Sequence, residues 1–143
     1  LEDWLAKAQE LFPELQGNLF DNHIHDRPMA LWIDLFDLLQ MAYEEVPIND
    51  DLIGRIYEYA AWCFAQPESQ DVKYDLSDAT AVGLIESIPL AKKAAADLHR
   101  WISAESFDGF ESLFRYHLPD EQYRAFREDF MRKSKTYTGT TRL

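Results

Sequence analysis

From Pro28 to Gln66, apolar residues recur at three- and four-residue spacing, and one proline, Pro47, interrupts the pattern near its middle. Leu31, Leu35, Leu38, Ala42 and Val46 form one stripe, widened by Trp32, Phe36, Leu39 and Tyr43. Ile53, Ile56, Tyr57, Ala60, Cys63 and Phe64 form a second, widened by Leu52, Tyr59 and Trp62. A period of 3.6 over this length is helical, and stripes this wide demand cover on several sides. The pattern predicts two antiparallel helices, 29–46 and 50–66, at the centre of the fold. Pro28 suits an early helical position, and Pro47 disfavours helical backbone at the residue before it. Asp26 and Asn49 are the expected caps of the two helices, with Asp50 and Asp51 at the positive end of the second.

The rest of the chain repeats the scheme. Helices are expected over 2–12, 78–88 and 90–102, then after Ser103 and after Pro119, with turns marked by proline or capping residues. Gly83, inside an otherwise helical run, costs about 1 kcal/mol of propensity relative to alanine and so predicts a close helix crossing. No strand pattern and no sequence period recurs. The expected fold is all-α, with six to eight helices in a compact bundle or a short α-solenoid. A single domain is expected over 1–133, followed by a flexible polar and basic tail over 134–143.

Composition narrows the function classes. With 143 residues and 47% hydrophobic content, the chain can bury a core despite a net charge of −12. Residues 1–78 hold 17 acidic and 4 basic side chains, whereas residues 79–143 hold 9 and 10. Such an acidic surface argues against nucleic-acid binding, which needs a basic stripe. No apolar run is long enough to suggest a membrane span. The opening residues lack the basic start and apolar centre of a secretory signal. The single cysteine, Cys63, fits a reducing compartment, so a cytoplasmic location is expected.

Asp78–Pro89 (DATAVGLIESIP) and Glu105–Pro119 (ESFDGFESLFRYHLP) resemble small, acidic, all-helical bacterial proteins of the immunity kind, which neutralise toxins. The resemblance implies a bacterial origin and a binding role, and it carries no catalytic residues.

The most chemical-looking run is Asp21-Asn-His23-Ile-His25-Asp26. In an extended segment His23 and His25 project to the same side, and with Asp26 they would make three metal ligands for a small hydrolase. Against this, no HExxH-like spacing accompanies them, and turn and cap roles account for the acidic neighbours. His99 and His117 are expected near helix C-termini in structural roles, and Glu86 and Glu111 at exposed helix positions. Cys63, among Trp62, Phe64 and Ala60, reads as a buried, inert thiol.

The favoured reading is a non-catalytic module without a cofactor. Its binding face is the acidic row Asp34, Asp37, Glu44 and Glu45, anchored by Trp32 and Tyr43. The expected partner is a basic protein, and a homodimer burying the same aromatics is the competing assembly.

Overall fold

The computed structural model describes residues 2–15 and 26–143. Among them are eight α-helices and no strand: α1 (Asp3–Leu11), α2 (Pro28–Glu44), α3 (Asp50–Phe64), α4 (Leu76–Gly83), α5 (Lys92–Asp97), α6 (Ala104–Gly109), α7 (Glu111–Arg115) and α8 (Asp120–Thr136). Short 3-10 turns cover Pro13–Leu15, Val72–Tyr74, Ile85–Leu90 and Leu98–Arg100. No helix among the described residues is long and apolar enough to cross a membrane.

The central pair forms as its spacing predicts. Near the turn, Asn49 N–H donates to Ala42 O at 2.9 Å. Far from it, the rings of Trp32 and Tyr59 meet at 5.6 Å. The two helices therefore run antiparallel. Asn49 caps α3 by accepting from Leu52 N–H at 3.1 Å, and Pro28 opens α2. The cap expected of Asp26 is absent. Arg27 occupies that position with extended backbone and no side-chain cap bond. The carboxylate of Asp26 instead faces Arg27 Nε at 3.7 Å, in solvent. The helix also ends two residues earlier than expected. Glu45 is already extended, and the Val46–Pro47 peptide is cis.

The other helices gather around this pair. α1 docks on α3, α4 on both α2 and α3, and α5 on α2. That is a bundle with one shared core, not a row of stacked pairs. On the α1 side, Tyr59 Oη donates to Trp4 O at 2.9 Å. Arg55 grips both Glu14 oxygens, at 2.9 and 2.6 Å, and the Leu11 carbonyl at 2.7 Å. At the far end, Phe107 sits among Phe114, Tyr123, Phe126 and Phe130, with ring centroids 4.3 to 6.3 Å away. The Phe64–Phe110 contact, at 5.5 Å, ties this aromatic cluster back to α3.

Three expected helices come out shorter. The 78–88 run starts at Leu76, where the Asp75 carboxylate caps Asp78 N–H at 2.9 Å. It stops at Gly83 and tightens into the 3-10 turn that contains Pro89. The 90–102 run likewise divides into α5 and a 3-10 turn. The helix capped by Ser103 breaks at Phe110 into α6 and α7.

The tail does not hang free. α8 continues to Thr136, and the last residues then return to the body. Arg142 N–H and Leu143 N–H donate to Trp101 O at 2.8 and 3.1 Å, and Ser103 N–H donates to Leu143 O at 2.9 Å. Trp101 and Ser103 lie between two helical segments, where the Trp101 carbonyl and the Ser103 N–H have no intrahelical partner. The tail supplies one, which composition alone does not reveal.

Candidate functional site

On α2 the exposed side is a stripe, Ile33, Asp37, Gln40, Met41 and Glu44, recurring at helical spacing. Glu45 extends it, accepting from Asn49 Nδ2 at 3.1 Å. Asp37, Glu44 and Glu45 are therefore on the surface, as the acidic row requires, whereas Asp34 is half-buried. The two expected aromatic anchors are not available. Trp32 is fully buried and Tyr43 is 4% exposed, because each faces a neighbouring helix. Trp32 packs under Gly83 of α4, and the Tyr43 hydroxyl points to α5. The apolar residues that do reach solvent are Ile33, Met41 and Val46, at 60%, 62% and 97% exposure. Their positions on the face of Asp37 and Glu44, or just beyond the helix end, were the signal in the sequence that could have found them.

Between α2 and the start of α5 lies a groove of about 290 Å³. Gln40, Tyr43 and Glu44 form one wall, and Ala91, Lys92, Lys93 and Ala94 the other. Glu44 and Lys93 pair across it at 3.2 Å, both largely exposed. A shallower recess over Met41 and Glu45 adjoins it, sharing Gln40 and Glu44.

Behind the groove sits the densest polar cluster among the described residues. Asp97 Oδ2 accepts from Tyr43 Oη at 2.7 Å, Arg100 Nη2 at 2.7 Å and Trp101 Nε1 at 3.0 Å, while Oδ1 accepts from Arg100 Nε at 2.6 Å. Arg100 Nη2 also reaches Asp50 Oδ1 at 2.8 Å, at the first turn of α3. Its guanidinium lies 5.0 Å from the Trp101 ring, which in turn stacks on Tyr57 at 5.4 Å. Burial pushes the Asp97 carboxyl up, but the hydrogen bonds from Arg100, Tyr43 and Trp101 outweigh it and hold it below the usual carboxylate range. A carboxylate engaged by four donors is a fastening between α2, α3 and α5. It has little lone-pair capacity left for taking a proton from a substrate.

The remaining reactive groups are placed for structure. Cys63 is fully buried, and desolvation pushes its thiol up to about 11. Glu86 is not at an exposed position: its side chain is 15% exposed and meets His117 Nε2 at 3.0 Å. His99 lies edge-on to Tyr137 at 5.6 Å. Burial lowers its pKa against the opposing pull of Asp97, with Lys133 and Arg100 acting in the same direction as burial. His23 and His25 lie outside the described residues. The described residues contain no group of three or more His, Cys, Asp or Glu side chains placed to hold a metal.

These shifts share a sign. His99, Glu14 and Asp97 all have folded-state pKa values below their ordinary ones, so on acidification the unfolded chain takes up each proton first. The stability they contribute is present above the ordinary value and lost as pH falls through the folded one. His99 acts first, below 6.5, and the carboxylates follow below 4.5 and 3.8. The urea midpoint is expected to fall between about pH 7 and pH 5, and His99→Gln to flatten that step. An unchanged slope in the variant would remove His99 as its source. Comparison of the chain with protein-family models, with curated proteins and with solved structures finds no match.

Proposed function

We propose that this protein is a non-catalytic, cytoplasmic interaction module of the immunity or antitoxin kind, binding a basic protein partner through the outer face of α2. The observation that carries the reading is the mixed stripe on that face. Exposed Ile33 and Met41 alternate with Asp37, Glu44 and Glu45 beside an open groove. Carboxylates spread over the N-terminal portion attract a basic partner from a distance and speed encounter, while desolvated apolar contacts slow dissociation. A toxin whose active site binds nucleic acid is such a partner, with carboxylates lying where phosphates would. Assignment to the cytoplasm rests on the single buried, unpaired cysteine.

The test is a pull-down from the native host, read together with the neighbouring reading frames, followed by stopped-flow association with the recovered protein. The association rate is expected to fall roughly ten-fold or more as salt rises toward 1 M, where the Debye length shrinks to about 3 Å. Neutralising Asp37, Glu44 and Glu45 together is expected to remove most of that salt dependence. A rate indifferent both to salt and to these replacements would refute the reading.

A further inference from the structure

We propose that the groove between α2 and α5 is the seat of one aromatic side chain from the protein partner, held between an acidic and a basic rim. This rests on the interaction reading above and names what the partner must present.

The groove exists because two alanines stand where longer side chains would fill the space. Ala91 and Ala94 are 8% and 1% exposed and offer only methyl groups toward α2. Opposite them is Tyr43, whose hydroxyl is committed to Asp97 at 2.7 Å. With its polar end satisfied inward and only 4% of the residue exposed, Tyr43 closes the back of the groove. At about 290 Å³ the space lies at the lower edge of ligand pockets, suited to one large side chain and too small for a nucleotide-sized cofactor.

The rim identifies the kind of occupant. The α2 edge carries Glu44 and Glu45, and the α5 edge carries Lys92 and Lys93. A polyanion or an anionic membrane surface would be repelled by the first edge. A polypeptide can satisfy both, with a basic residue toward α2 beside its anchor. An aromatic anchor fits best, since the lysine ammonium groups on the α5 edge can approach the face of its ring. The Glu44–Lys93 pair spanning the mouth is exposed, and such pairs contribute little, so it opens at small cost. The adjoining recess over Met41 lets the partner's chain continue along α2.

The experiment is a titration of alanine-methyl-labelled protein with N-acetyl-tryptophanamide, followed by NMR. Saturable shifts confined to the Ala91 and Ala94 methyls and the Gln40 side-chain amide are expected, with millimolar affinity. Gln40→Trp, an exposed rim substitution that closes the groove, is expected to weaken the probe at least ten-fold. The shift map of the unaltered protein stands whether or not this variant folds. Shifts that are absent or scattered would overturn the proposal. So would N-acetyltryptophan free acid binding ten-fold tighter than the amide, which would make this a site for small organic anions. Self-association abolished by Gln40→Trp would make the occupant a second copy, and would likewise overturn it. Loss of the probe site with salt-dependent partner association intact sinks this inference alone. A filled groove without any basic partner sinks the interaction reading instead.

Discussion

Gly83→Ala is expected to destabilise the protein by about 2 kcal/mol or more, although helix propensity alone predicts a gain approaching 1 kcal/mol. A Cβ at this position would lie 2.5 Å from Trp32 Cβ and 3.1 Å from its Cγ. Carbon atoms prefer about 3.5–4.0 Å, so the contact is deep in the repulsive range. Neither atom can swing aside, because each Cβ is fixed to its own helix backbone. The helices α4 and α2 would have to separate, which loosens the packing of Trp32 and of Met29, whose sulfur lies 3.5 Å away. Gly109→Ala is the matched control. Nothing lies within 4 Å of a Cβ there, so it should be neutral or slightly stabilising. Urea unfolding of both variants decides the matter. A Gly83→Ala midpoint equal to or above the parent's would show that the crossing is not as close as described.

The second large effect is expected at Asp97. Asp97→Ala removes the acceptor for Tyr43 Oη, Trp101 Nε1 and two nitrogens of Arg100. It leaves a half-buried guanidinium facing Asp50 alone. Breaking a buried pair by deleting one partner costs about 3–5 kcal/mol, and the lower end applies because Arg100 keeps 26% of its side chain exposed. Against a typical stability of about 5–15 kcal/mol, that is a large fraction of the total. Tyr43→Phe removes one bond of the four and should cost about 1 kcal/mol. Asp97→Asn, which keeps an acceptor oxygen, should fall between the two. Equal stability of Asp97→Ala and Asp97→Asn would mean that the cluster does not fasten α2, α3 and α5 as inferred. The near-ultraviolet circular dichroism of the Trp101–Tyr57 stack gives an independent reading of the same change.

Local chemistry was legible wherever neighbouring residues settle the outcome. Asn49 and Ser103 cap the helices that follow them, at 3.1 Å in each case, because a cap needs only a short polar side chain and a free N–H nearby. Gly83 marks a close crossing because its missing side chain is written in the sequence. Asp26 failed as a cap because Arg27 and Pro28 already set where α2 begins. On the outer face of α2, the exposure of three of the four acidic residues was legible and the burial of the aromatic ones was not. Asp37, Glu44 and Glu45 are costly to bury, so their exposure follows from their charge. Trp32 and Tyr43 can sit either inside or at an interface, and only the positions of α4 and Asp97 place them inside.

The sequence by itself determined the all-α class, the antiparallel central pair and the acidic outer face of α2. Each depends on periodicity, proline positions or charge, which act over a few residues. Only the tertiary structure decided that the helices form a bundle, that the tail pairs with Trp101 and Ser103, and that Glu86 meets His117. It also decided that Tyr43, Asp97, Arg100 and Trp101 gather behind a groove floored by Ala91 and Ala94. Such contacts join residues up to 54 positions apart. They depend on how the helices pack against one another, for which a hydrophobic stripe supplies the adhesive side but not the neighbour it will meet.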